Sequence, residues 1–367
     1  MNRLRRRTLQ LIALLAGSRA GAAFAASPSN RRPPSALGYL PWWMAAGWQR
    51  AVSWNDLDRL VLFDAPIRPD GSLLPRNWLR IAPGLASRAG SAGVPLDLAL
   101  TLLKESEFDR VFADAAARDR LLSGCVRALE QRHISGLHLD FEGYGSADPQ
   151  AIDGFRDWLE ALDARRRQMD KGLSAFFPAS DSFAAHDPAS AARLDYWVAQ
   201  LYDAHWAESK STGPLMTRRP DNPVSIDRAL ARLAGLGVAR EAVLLSVPLY
   251  GWQWPSASER PGAAARGKAR LLTFAGTPPA LMPNDRLVAG QLAKLHGLRR
   301  DAEHTPYYAY QDGQQWHQGW YEDLESLTRK LAAERSGGYA GLAFFPIGYD
   351  KGRIVQDLLR WWRSALR

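Results

Sequence analysis

Cysteine is almost missing from this chain. Cys125 is the single one in 367 residues, so no internal disulfide can form and the fold must be held by its apolar core. There is no CxxC, HExxH or G-x-S-x-G motif and no phosphate-type glycine loop, and the seven histidines are scattered. Zinc, serine-elbow and phosphate-loop chemistries are therefore not expected, and neither a metal nor a cofactor is implied. No apolar run reaches the roughly 20 residues that a bilayer-spanning helix needs, so no stable membrane anchor is expected.

Excess charge is scarce too, once its location is considered. The formal net charge is +9, but residues 1–25 hold Arg3, Arg5, Arg6, Arg7 and Arg19 and no acid, and without them the charge is +4. That start has a basic n-region, an apolar stretch from Leu9 to Gly17 and small residues at Ala23-Phe24-Ala25, the pattern of a secretory signal peptide. Arg6-Arg7-Thr8-Leu9 also fits twin-arginine export, although an Arg-rich n-region serves ordinary secretion as well. A periplasmic or secreted location is expected. The remaining Lys and Arg are mixed with acids, so no nucleic-acid partner is expected.

Residues 26–35 form a polar, Pro-rich and flexible lead, and residues 36–367 are long enough to bury one sizeable core. Short apolar runs alternate there with segments of helical spacing. The strand candidates are Ala36 to Leu40, Arg59 to Phe63, Leu96 to Thr101, Gly136 to Phe141, Leu173 to Phe177, Tyr196 to Tyr202, Val243 to Pro248 and Gly341 to Phe345. Helical spacing runs over Val111 to Glu130, Ala151 to Met169, Ile226 to Leu236, Leu324 to Glu334 and Ile354 to Leu366. Eight strands with interleaved helices predict an α/β fold, a (β/α)8 TIM barrel. The stretch from Trp252 to Gly338 is too long for one connection and predicts an insertion between strands 7 and 8. Within it, Glu259 to Ala269 reads as a mobile loop. One domain and a monomer are expected.

Ser135-Gly136-Leu137-His138-Leu139-Asp140-Phe141-Glu142 is the most informative stretch. Strand side chains alternate, so His138, Asp140 and Glu142 share one face while Leu137, Leu139 and Phe141 share the other. Two acids side by side at the end of a buried strand are costly unless they are paired, solvated or used in a reaction. The alternative is a strand end whose acids simply reach water.

This stretch resembles the signature of glycoside hydrolase family 18, the chitinase family, whose fourth barrel strand ends in D-G-x-D-x-D-x-E. Asp140 and Glu142 fall on its last two acids. Leu37-Gly38-Tyr39 is similar to the family's first strand, Gln200-Leu201-Tyr202-Asp203 to its sixth and Pro248-Leu249-Tyr250-Gly251 to its seventh. Trp320-Tyr321-Glu322-Asp323 and Gly341-Leu342-Ala343-Phe344-Phe345 resemble the segments before and on the eighth. Three departures stand out. Ser135 and His138 replace the first two acids, Thr101-Leu102-Leu103 stands where many members have a Gly-Gly turn, and Phe345 occupies the place of the Trp that usually floors the sugar subsite. Some branches carry Asn at the middle position, so the missing acid does not by itself imply inactivity.

The resemblance implies an exported glycosidase for β-linked N-acetylglucosamine in chitin-like oligosaccharides or peptidoglycan, with a polysaccharide or oligosaccharide as its partner. Family 18 is an exception to the two-carboxylate rule, since the 2-acetamido oxygen of the substrate attacks the anomeric carbon. Glu142 is then the general acid and later base, Asp140 orients and stabilises the acetamido nitrogen, and Tyr202 donates its hydroxyl to the acetamido carbonyl. Asp203 holds a sugar hydroxyl, Gln200 is a polar contact, and Tyr39, Tyr250 and Phe345 line the pocket. His138 is read as the stand-in for the middle acid that positions Asp140, or as a buried histidine satisfied by backbone groups. Trp42, Trp43, Trp48, Trp206, Trp252, Trp254, Trp316 and Trp320 are candidates for stacking on sugar rings. The rival reading is a glycan-binding, lectin-like protein without turnover, and a third is an enzyme with a conventional carboxylate nucleophile.

Overall fold

A computed structural model describes residues 32–74, 78–143, 148–179, 184–275 and 287–365. The expected signal peptide and most of the expected lead lie outside the described residues, as does the loop beyond Gly143. The chain builds β1 (Ala36–Pro41), β2 (Arg59–Pro66), β3 (Leu96–Leu102), β4 (Gly136–Phe141), β5 (Gly172–Phe177), β6 (Tyr196–Gln200) and β7 (Val243–Pro248). A second sheet follows: β8 (Tyr250–Ser256), β9 (Arg270–Thr273), β10 (Leu287–Val288), β11 (Arg299–Arg300), β12 (Pro306–Asp312) and β13 (Gln315–Tyr321). The chain then returns to the barrel as β14 (Gly341–Phe345).

Strands β1 to β7 and β14 close into one parallel barrel in the order β1-β14-β7-β6-β5-β4-β3-β2, with helices outside it. The α/β fold is a (β/α)8 TIM barrel, and the second sheet, in the order β10-β9-β8-β13-β12-β11, is the insertion between its seventh and eighth strands. Apolar residues on the outer face of each strand pack on the helices and make the main core. Around β4 this packing is aromatic: Phe141 lies 6.0 Å from Phe112, 6.3 Å from Phe155 and 6.1 Å from Trp158 between ring centroids. Leu137, Leu139 and Phe141 are fully buried. Their outward packing obliges the alternate residues of β4 to face the barrel interior.

Several local expectations change. Val111 to Glu130 is not one helix but parts of two, Glu105–Ala113 and Ala115–Leu129. Asp114 breaks the chain between them and caps the second, its carboxylate accepting from Ala116 N at 2.8 Å. The helix Trp78–Ala92 forms despite Pro83, Gly84 and Gly90 in its sequence, which argue against a helix there. β2 runs three residues beyond Phe63, and β6 stops at Gln200. Glu259 to Ala269 is not a free loop: Ala263 O accepts from Thr212 N, Ala265 N donates to Lys210 O, Arg266 N to Pro255 O, and Ala269 N to Ala207 O.

Trp254, Ala269, Tyr307 and Trp320 of the insertion form a small core together with Ala207 of the loop after β6, with Tyr307 stacked on Trp320 at 4.4 Å. It is fastened to the barrel by a buried charge network. Lys330 Nζ donates to Glu322 Oε1 at 2.7 Å and Oε2 at 3.0 Å, to Met216 O at 2.8 Å and to Thr305 Oγ1 at 2.8 Å. Glu322 and Lys330 are each 2% exposed. One ammonium thus joins the loop after β6, the start of β12, the end of β13 and the helix Leu324–Lys330. Removing one partner of a buried pair strands the other charge, so Lys330→Met is expected to cost about 3–5 kcal/mol in urea unfolding. Adding Glu322→Gln should recover part of that loss, and a single variant within about 0.5 kcal/mol of wild type would contradict this account.

Candidate active site

The polar residues inside the barrel form layers. At the bottom, Arg59 Nη1 donates to both Asp97 oxygens at 2.8 and 2.9 Å, and Tyr196 donates its hydroxyl to Asp97 at 3.2 Å. The Asp97 carboxylate raises the Arg59 guanidinium against the cost of its burial. Above this layer, His138 on β4 uses both ring nitrogens: Nε2 is 2.9 Å from the Tyr39 hydroxyl and Nδ1 is 2.9 Å from Ser174 Oγ. The next layer holds Asp140, Thr101 and Asp64. Thr101 is the register neighbour of Asp140 on β3 and donates its hydroxyl to Asp64 Oδ2 at 2.7 Å.

Glu142 stands one residue past β4 at the mouth. Its backbone N–H bonds Leu102 O at 2.8 Å, and Gly143 lets the chain pass where a Cβ would come within 2.7 Å of the Lys104 backbone. The side chain is exposed but ringed by enough protein that burial, then the charge of Asp203, lifts its carboxyl to about 7. Asp140 is 5% exposed. Burial first, then the charges of Glu142 and Asp64, hold its carboxyl well above the usual range. The pair titrates together, with Asp140 held toward its protonated form and Glu142 poised near half-ionisation at neutral pH.

Asp203 lies opposite, with a left-handed backbone at φ 72°, a conformation that Asp tolerates better than most residues. Its oxygens accept from the Tyr250 hydroxyl at 2.6 Å and from Gln200 Nε2 at 2.9 Å. Burial raises it to about 6 while both hydrogen bonds pull down. Gln200 Oε1 accepts from Ala179 N at 2.9 Å, so this amide is held at both ends and fixes Asp203. Phe345 sits in the middle of an aromatic floor, 5.8 Å from Tyr39, 5.3 Å from Phe63, 6.2 Å from Tyr250 and 6.4 Å from Tyr202, to which it is nearly parallel. Trp252 extends this wall 5.6 Å from Tyr250.

The barrel therefore brings together Glu142, Asp140, Tyr202, Asp203, Gln200, Tyr39, Tyr250 and Phe345. His138 is the exception. It shares the strand face of Asp140, yet it is fully buried, bonds Tyr39 and Ser174 instead, and its imidazole is pushed down to about 3 by burial. It neither pairs with Asp140 nor meets the cleft, because both nitrogens are already spent. Trp254 and Trp320, at 0% and 1% exposure, pack inside the insertion and cannot stack on a ligand, whereas Trp206 is 51% exposed. Asp64 and Phe63 complete the site without having stood out in the sequence. The only trace of Asp64 was an acid interrupting the apolar run Leu60-Val61-Leu62-Phe63-Asp64-Ala65.

The sequence profile of glycosyl hydrolases family 18 matches residues 103–350, from the end of β3 to just past β14. The chain belongs to this family. Among curated proteins it is 24% identical over 310 residues to the cortical fragment-lytic enzyme of Bacillus anthracis, covering 80% of this chain and 65% of that protein. To a class V chitinase of Lotus japonicus it is 23% identical over 259 residues, 66% of this chain and 64% of the relative. It thus spans just under two thirds of the length of these relatives. Its fold matches a family GH18 chitinase from Cycas revoluta in complex with allosamidin, with TM-score 0.73, 18% identity and coverage of 90% and 99% of the two chains. The spore cortex-lytic enzyme of Bacillus megaterium gives TM-score 0.64 at 18% identity, covering 90% of this chain and 75% of that one.

Within this family 18 barrel, the neutral state of His138 has a measurable cost. An unfolded histidine binds a proton below about 6.5, whereas the folded one resists until about 3, so its contribution is complete above 6.5 and is lost as pH falls toward 3. Going about 1.5 units below 6.5 should cost about 2 kcal/mol through this residue. His138→Gln is expected to lose that much less stability than wild type between these two pH values in urea unfolding, and equal losses would contradict the reading.

Proposed function

We propose that this chain is an exported glycosidase that cleaves β-linked N-acetylglucosamine-containing glycans, chitin-like oligosaccharides or peptidoglycan, by a substrate-assisted retaining route. The observation that carries the proposal is Glu142, a carboxyl at the barrel mouth lifted to about 7, beside a buried Asp140. A proton donor must hold its proton near the working pH and then release it, and burial among acids tunes a carboxyl to do so. Export rests on the N-terminal pattern, and the cell-wall option draws support from the names of the bacterial relatives.

In this reading the glycan lies across the aromatic floor of Phe345, Tyr39 and Tyr250, its apolar ring face against theirs. Glu142 gives its proton to the glycosidic oxygen as the acetamido carbonyl oxygen bonds to the anomeric carbon, and the leaving sugar departs as an alcohol. Tyr202 donates to that carbonyl oxygen and orients it. Asp140 holds the acetamido N–H as the nitrogen gains positive charge. Asp203, fixed by Tyr250 and Gln200, accepts a sugar hydroxyl. Water then attacks the anomeric carbon, one of its protons returns to Glu142, and the bond between the anomeric carbon and the acetamido oxygen breaks.

Hydrolysis of an aryl chitobioside tests this directly. Glu142→Gln is expected to lower kcat by about 10²–10⁴-fold while still binding chito-oligosaccharides. Binding without release by either protein would replace the proposal with a glycan-binding role. Because the donor must be protonated, kcat/KM for the wild type should fall as pH rises through about 7. A rate that climbs through that range would remove Glu142 from the acid role.

A further inference from the structure

We infer that Leu103, the residue after β3, selects the sugar on the leaving side of the scissile bond. It favours a hexosamine that carries an alkyl ether, as alternate sugars of peptidoglycan carry a lactyl group, over the bare hydroxyl of chitin. This inference rests on the glycosidase reading above and narrows its substrate class. It begins in the strand register. Between β3 and β4, Thr101 pairs with Asp140 and Leu102 with Phe141. The bond from Glu142 N to Leu102 O at 2.8 Å carries this parallel ladder one residue further, so Leu103 stands beside Glu142. Side chains alternate along β3: Thr101 turns inward to Asp64, and Leu102 turns outward into the core at 1% exposure. The next residue returns to the axis side, where Leu103 is 51% exposed. A branched apolar side chain is thus left half in water next to the proton donor.

Among the described residues the other exposed large apolar side chains are Leu74, Trp206, Leu295 and Leu298, and Leu103 is the one that the register sets beside Glu142. Its place is fixed from both sides. The helix Glu105–Ala113 starts two residues later, where Phe108 N bonds Lys104 O at 3.0 Å. Gly143 passes so close that a Cβ there would come within 2.7 Å of the Lys104 carbonyl carbon. Position around the ring decides which sugar Leu103 meets. In the closed order β3 lies four strands from β7, so Leu103 stands across the mouth from Tyr250, which belongs to the floor under the sugar that keeps the anomeric carbon. Glu142 protonates the oxygen between the two sugars, and the sugar beyond that oxygen departs. The floor is made of flat rings, which suit the C–H face of a sugar. A branched aliphatic chain suits a methyl-bearing substituent, which gains by leaving water, whereas a hydroxyl pressed against it loses water and finds no partner. The lactyl ether supplies a methyl group where chitin has a hydroxyl.

Two tetrasaccharides decide the matter: chitotetraose, and the strand in which N-acetylglucosamine alternates with N-acetylmuramic acid, the latter at the reducing end. Wild-type kcat/KM is expected to be about tenfold higher on the alternating strand. The bonds cut should be those whose departing sugar bears the lactyl group, so the first products seen by mass spectrometry are a monosaccharide and a trisaccharide. Two disaccharides as first products would place the lactyl sugar over the floor and overturn the inference, and so would equal kcat/KM on the two glycans. Leu103→Ser removes the apolar surface at an exposed position, and the ratio of the two kcat/KM values should fall about fivefold or more. Leu103→Ile should keep most of it. A ratio in Leu103→Ser within about twofold of wild type rejects the role of Leu103, whatever happens to the rate on either glycan alone. If Leu103→Ser does not fold, the first products of the wild type decide. A wild type that cleaves neither glycan ends the glycosidase reading, and calorimetric binding then tests Leu103 separately. A preference for the alternating strand that Leu103→Ser abolishes keeps the contact, and equal binding of the two glycans rejects it.

Discussion

Polar atoms packed inside a closed ring of strands can reach little water, so each must be satisfied by its neighbours, and that constraint organises this barrel. Arg59, Asp97 and Tyr196 satisfy one another at the bottom, Tyr39, His138 and Ser174 in the middle, and Thr101 serves Asp64 above them. Among the described residues, the one buried acid oxygen left over is Asp140 Oδ1, immediately beneath the mouth. An unmet hydrogen-bonding group is expensive almost anywhere in a fold and useful where a reaction can draw on it.

The column stands upright because of what happens on the other side of the same strands. Leu137, Leu139 and Phe141 lock β4 into the helical layer, where Phe141 meets Phe112, Phe155 and Trp158. Turning β4 by one residue would bury two acids and a histidine among those rings and place three apolar side chains in the barrel. The orientation of the acids is therefore enforced by apolar contacts far more numerous than any bond the acids make. Electrostatics then sets how those groups ionise, with burial as the leading cause for Asp140, Glu142 and Asp203 alike.

Much of this was legible in the sequence, and the exceptions have physical causes. The strands Gly136–Phe141, Val243–Pro248 and Gly341–Phe345 have the limits that their apolar runs suggest, because apolar strands bounded by turn residues announce their own ends. Asp140 and Glu142 stood out because period-two alternation placed them together. Asp64 did not, because the bulge in β2 between Leu62 and Ala65 abolishes the alternation on which that reading depends. The partners of His138 were hidden for another reason: Tyr39 is 99 residues away and Ser174 is 36, and no local pattern encodes which strand closes against which. Trp254 and Trp320 looked like exposed platforms because the insertion's own core could not be seen from its sequence.

The passage from β7 into β8 turns on a single residue, Leu249, whose N–H is bonded to Phe345 O at 2.7 Å. The seventh barrel strand and the sheet that walls its mouth are thus one continuous ribbon, stitched to the eighth strand at the corner and tethered at its far end by Lys330. A wall built this way has no hinge of its own. Among the described residues this wall is already in place, so the entropy lost on complex formation there falls on the entering chain and the side chains that meet it.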